Sequence, residues 1–214
     1  AVMRELYDLR AKTPWVFPTA ELYQVIRAGM VLPALEHVAL MREYRDAAQA
    51  AQRPMRDHSR IVVAGAFCEQ PPIGLIQTLE RAGCYIVDDD FLLGPRFIKD
   101  RIVPEGGPKG DPLQALVDAF LRHREQAAFI YIDDDVRGSA LAATVKKRGA
   151  EGVIFAAPSF CDPALLDRPM LQKAMDQHGI AHVEIKYAEN TGQFQPIREQ
   201  AGTFADSLKL WGVA

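Results

Sequence analysis

The chain has 214 residues, 49% of them hydrophobic and 25% charged, with 25 Lys and Arg against 28 Asp and Glu for a formal net charge of -3. That is the composition of a globular protein of one or two domains, long enough to bury a real core. The balance argues against the basic surface that nucleic-acid or anionic-membrane binding requires, and no apolar run reaches the ~20 residues of a membrane helix.

Residues 1–55 read as helices interrupted by prolines. A first helix carries Leu6, Leu9 and Ala11 and stops before Pro14. The PWVFP stretch is a stiff connector, because each proline fixes its own φ and pushes its predecessor out of the helical region. Thr19 is the expected N-cap of a second helix bearing Leu22, Val25 and Ile26, with Gly29 near its end. A third helix follows Pro33. The chain opens inside a helix without a start methionine, so 1–55 reads as a helical connector from a missing N-terminal domain, burying little by itself. Residues 56–214 read as the domain proper.

From residue 60 the pattern becomes alternating. RIVVAGAF (60–67) is a continuous apolar, β-branched run, as a strand buried on both faces requires. PIGLIQTLERAG (72–83) is an amphipathic helix, and CYIVDDD (84–90) a second strand. A helix over 112–125 begins after Asp111. AAFIYIDDD (127–135) is a third strand, and GSALAATVKKRG (138–149) a helix with a basic end and a glycine stop. GVIFAAPSF (152–160) is a fourth strand, 163–179 a helix containing Pro169, AHVEIKY (181–187) a fifth strand, and the chain closes on a helix. Alternation of this kind predicts a flavodoxin-like, doubly wound parallel α/β sheet of about five strands with a helical N-terminal extension. Its ligand crevice lies beyond the carboxyl ends of the strands.

The residues expected at that crevice define the chemistry available. Cys161, in a Pro-Ser-Phe-Cys-Asp-Pro turn, can serve as a nucleophile or a soft metal ligand, or simply as a small buried hydrophobe. Cys68 ends the first strand in the same way. Cys84 begins the second strand, at the opposite edge, and reads as structural. With no secretory signal, three cysteines are too few for a disulfide scaffold, so a reducing, cytoplasmic compartment is expected. The triplets Asp88–Asp90 and Asp133–Asp135 can bind Mg²⁺ or act as acid and base, but aspartate is also a turn and capping residue, and an Asp of the first triplet can pair with Arg96. The chain has neither the Gly-rich dinucleotide fingerprint nor a P-loop. The five histidines show no metal-ligand spacing, and without a Cys-x-x-Cys the chain cannot alone supply four cluster ligands.

Two phrases, AGAFCEQPPIGLIQTLERAGCYIVDDDFLLGPRF (64–97) and FAAPSFCDP (155–163), resemble the 2-hydroxyacyl-CoA dehydratase / benzoyl-CoA reductase family, in particular the C-terminal part of its gamma-type subunits. The resemblance implies a subunit of an ATP-dependent acyl-CoA reductase, with dehydration of a 2-hydroxyacyl-CoA as the alternative. It implies a [4Fe–4S] cluster in the full-length subunit, held by three cysteines at the junction of two flavodoxin-like domains. Cys161 matches the ligand that the C-terminal domain contributes. The implied partners are a homologous cluster-bearing subunit, ATP-hydrolysing activator subunits and an acyl-CoA, with no nucleic acid and no membrane. With two ligands expected elsewhere, this chain alone should lack both cluster and activity. A receiver-like signalling module on the same fold is the reading from another class. It would need phosphorylation at Asp133 or a neighbour and would use Lys186; the first strand, ending in AFCEQ, lacks the acidic pair that receivers use.

Overall fold

In the computed structural model, residues 1–65, 70–94, 102, 104, 105, 107, 110–122, 138–188 and 194–211 are described. The helices are α1 (Val2–Lys12), α2 (Thr19–Arg27), α3 (Ala34–Ala50), α4 (Ile73–Arg81), α5 (Pro112–Arg122), α6 (Ser139–Arg148), α7 (Asp162–Gln177) and α8 (Gln195–Trp211). The strands are β1 (Ser59–Ala64), β2 (Cys84–Asp89), β3 (Gly152–Pro158) and β4 (Ala181–Tyr187). They form a parallel sheet in the order β2-β1-β3-β4. The strand expected over 127–135 lies outside the described residues; β1 pairs directly with β2 on one side and β3 on the other.

The continuous apolar runs become strands covered on both faces, as parallel sheets demand. On one face Ile61, Val63, Ile86, Ile154 and Ile185 pack against Leu75, Ile76 and Leu79 of α4 and Ala201, Phe204, Ala205 and Leu208 of α8. On the other, Val62, Ala64, Val87, Val153 and Phe155 meet Ala142 and Val145 of α6 and Ala174 and Met175 of α7. α6 ends at Gly149, whose φ of 58° closes the helix in the left-handed conformation. Asp111 accepts a hydrogen bond from Leu113 N at 2.8 Å, capping α5 as its position suggests. Pro169 lies inside α7, which runs through it as one helix.

Two expectations about residues 1–55 are corrected. First, the segment buries much: Leu6, Phe17 and Leu22, each at 0–1% exposure, join Val2, Met3, Tyr7, Ile26, Met41 and Ala48 in a core of their own. The apolar residues of three helices converge across the proline connector, which periodicity within any one helix does not reveal. Second, Pro18 holds the N-cap position of α2, and Thr19 is the first helical residue. The Thr19 hydroxyl instead donates to Ile86 O at 3.1 Å, tying α2 to β2. No helix among the described residues is long and apolar enough to cross a membrane.

Candidate functional site

The strand order reverses between β1 and β3, so the chain leaves the carboxyl ends of these two neighbours in opposite directions, which is where open α/β sheets form their ligand crevice. Three strand ends on this side of the sheet carry the residues singled out in the sequence.

At the end of β3 the chain turns through Ser159 and Phe160 into α7. Ser159 is pinned to β4: its N–H donates to Tyr187 O at 2.8 Å and its hydroxyl to the same oxygen at 3.1 Å. Cys161 occupies the N-cap position of α7, with φ -92° and ψ 83°, and its N–H donates to Pro158 O at 3.1 Å. It therefore sits at the carboxyl end of a parallel strand, as topology predicts. At 8% exposure it is more enclosed than the open position expected for it, packed on Ala157, Ala164 and Leu165. Its neighbour Phe160 is 94% exposed, a large apolar side chain standing free beside the enclosed thiol.

At the end of β1, Gly65 adopts φ +100°, and a Cβ there would lie 3.1 Å from Ala156 O on β3. Only glycine lets the chain turn so close to its neighbour. Cys68, three residues on, lies outside the described residues, as do Arg96, His123 and Asp133–Asp135.

At the end of β2 the first acidic triplet is engaged in holding the fold. Register slips by one residue between Ile61 and Val62, leaving Val87 as an extra residue on β2; such a bulge re-aims the side chains beyond it. Asp89 then meets Arg10 of α1 at 2.6 Å, with side-chain exposures of 0% and 1%. Asp88 accepts from Arg148 Nε at 2.5 Å, and Arg148 also reaches Asp8 at 2.6 Å. Asp90 accepts the Gly65 N–H at 2.8 Å, joining the ends of β1 and β2. Burial raises the Asp89 carboxyl above the ordinary carboxylate range, against the pull of Arg10. The Tyr7 hydroxyl is likewise pushed up, by burial and then by Asp89; its ring lies 4.4 Å from the Arg10 guanidinium. Sequence reasoning missed Arg10, whose partner is 79 positions away. The only local signal was an arginine on the apolar side of a short helix.

Cys84 is fully buried at the start of β2, at the opposite edge of the sheet, with Sγ 4.0 Å from Ala201 O. Burial pushes its thiol up to about 12, so it stays protonated at neutral pH, consistent with a structural residue. Lys186, required by the receiver reading, is exposed on β4. Among the histidines, His37 reaches Val25 O at 2.9 Å and His58 packs against Tyr85 with ring centroids 4.8 Å apart. Among the described residues no group of three or more His, Cys, Asp or Glu is arranged to hold a metal ion. Cys161 thus offers one soft sulfur donor at the crevice. That donor set fits one ligand of a shared cluster, not a cluster held by the described residues alone.

Comparison with known sequences brings this geometry beside proteins of known activity. The profile of a family described as 2-hydroxyglutaryl-CoA dehydratase, D-component, matches residues 1–208. One subunit of the benzoyl-CoA reductase of Thauera aromatica is 47% identical over 211 residues, covering 98% of this chain and 54% of that protein. The beta subunit of the (R)-2-hydroxyglutaryl-CoA dehydratase of Acidaminococcus fermentans is 29% identical over 212 residues, covering 97% and 54%. The (R)-phenyllactyl-CoA dehydratase beta subunit of Clostridium sporogenes is 24% identical over 207 residues, covering 97% and 53%. The chain spans about half the length of the curated relatives it matches.

Proposed function

The chain belongs to the 2-hydroxyglutaryl-CoA dehydratase D-component family, and from that premise we propose that it is the C-terminal half of a gamma-type subunit in an ATP-dependent acyl-CoA reductase of the benzoyl-CoA reductase kind. The observation that carries this reading is the 47% identity to a benzoyl-CoA reductase subunit over almost the whole chain. The dehydratase alternative draws on the weaker likeness to two dehydratase beta subunits. In either case the partners are a homologous subunit and an ATP-hydrolysing activator, and the substrate is an acyl-CoA thioester. This half alone is inactive in this reading.

Cys161 is the residue through which the chain takes part in the chemistry. Supporting this reading, Cys161 lies at the carboxyl end of β3 on a turn that Ser159 anchors to β4, so its sulfur is held at a defined point beside the sheet. A [4Fe–4S] cluster bound there supplies low-potential, one-electron reduction. The chain's own contribution is to hold the sulfur and to exclude water from it, which the enclosure by Ala157, Ala164 and Leu165 accomplishes. Gly65 and Asp90 hold the facing strand ends.

Replacing Cys161 tests the reading directly. In the full-length protein, Cys161→Ser exchanges a soft ligand for a hard one. Iron and acid-labile sulfide should fall, the electron paramagnetic resonance of the reduced cluster should be lost, and electron-dependent turnover of acyl-CoA should stop. Full iron content and activity in this variant would remove Cys161 from the site.

A further inference from the structure

α7 and α8 cover opposite faces of the sheet, and their outward sides differ. The exposed residues of α8 include Arg198, Glu199, Gln200, Thr203, Asp206 and Lys209, the polar surface expected of a helix that faces water. On α7, every exposed residue between Asp162, at its start, and Lys173 is apolar: Pro163, Leu166, Pro169 and Met170. Leu166 is 75% exposed and Met170 41%. Positions 163, 166 and 170 recur at helical spacing, so they share one side of the helix. Phe160, 94% exposed, stands three residues before Pro163, in the turn that leads into α7. The sheet does not use this side of the helix, because Ala174 and Met175 already meet it. Single exposed apolar residues are ordinary, but an uncharged apolar strip over two turns of an outward face marks a contact surface.

Two observations select the occupant. The chain covers 54% of the benzoyl-CoA reductase subunit it resembles. In the proposed full-length subunit, therefore, nearly as much polypeptide again is tethered to this half. A tethered partner is present at a far higher effective concentration than a free protein, so it takes an apolar face first. The strip also begins beside Cys161, the donor that the proposed function assigns to a shared cluster. The part of the subunit that completes that donor set has to come to this end of α7.

We propose that the outward strip of α7, headed by Phe160, is the face on which the other half of the full-length subunit docks through an apolar surface of its own. The proposal rests on the functional reading for the existence of that half, and it does not require a cluster at Cys161.

Carbene footprinting of the full-length subunit, purified as a monomer without its partner subunits, reads the docking. Labelling of Phe160, Leu166 and Met170 is compared with labelling of the same residues in the urea-unfolded subunit. Docking should lower it at least about fivefold, since an interface core packs as densely as a protein interior. Left open, Phe160 and Leu166 would label nearly as they do unfolded, as their exposure dictates. A smaller reduction overturns the proposal. So does protection that appears only when partner subunits are added or the protein is concentrated, which assigns the strip to a partner or to a second copy. Leu166→Asp puts a charge into the strip and should return Phe160 and Met170 to open labelling; unchanged protection in this variant overturns the proposal as well. If the variant fails to fold, the wild-type labelling decides. Cys161→Ser separates docking from the cluster: protection should persist there whatever the iron content. Protection lost in Cys161→Ser would mean that the metal, not the strip, holds the halves together, and would sink the proposal.

Discussion

The carboxyl ends of β2 and β3 lie in the same parallel sheet, and both looked chemically promising in the sequence, yet they are used in opposite ways. The end of β2 carries three adjacent carboxylates, each answered: Asp88 by Arg148, Asp89 by Arg10 and Asp90 by the Gly65 N–H. The end of β3 carries one thiol packed on small apolar side chains beside an exposed phenyl ring. Buried charge is costly unless paired, so a cluster of acids at a strand end has most of its chemistry committed to its partners. A thiol is a weak hydrogen-bonding group that can be stored among alanines without such commitments. The less conspicuous of the two strand ends is therefore the better candidate for binding.

The sharpest way to break this comparison is at Arg10. Arg10→Met leaves Asp89 buried without its counter-ion and should cost about 3–5 kcal/mol in urea unfolding. Adding Asp89→Asn should recover much of that loss, since the two groups act as a unit. A cost under about 1 kcal/mol for Arg10→Met would mean that the acidic end is not anchored as described.

A smaller effect is expected where the two ends meet. Gly65→Ala forces a side chain into φ +100° and against Ala156 O. It should cost about 1–3 kcal/mol, seen as a lower thermal midpoint. An unchanged midpoint would show that the β1 turn can relax away from β3.

The smallest stability effect belongs to the end of β3. Phe160→Ser removes a ring already 94% exposed and should change the stability of this chain by no more than about 0.5 kcal/mol. A larger loss in calorimetry would show that Phe160 packs within the fold, and the contrast between the two strand ends would weaken.

Much of this protein was legible in residue order alone. The apolar, β-branched runs at 60–67, 84–90, 152–160 and 181–187, separated by helices, determined a parallel α/β sheet, because strands buried on both faces need continuous apolar side chains. They also placed Cys161 at a strand's carboxyl end and Cys84 at the other edge. Tertiary structure alone decided what the polar residues near those ends do. The Arg10–Asp89 pair spans 79 positions, and Glu80 caps a helix that begins 61 positions earlier. Neither has a local periodicity, since a charge satisfied at long range leaves the same mark in a sequence as one facing water. The same holds for residues 1–55. Three helices with modest apolar faces look as though they bury little until packing brings Leu6, Phe17 and Leu22 together, because burial depends on which faces meet and not on how apolar each one is.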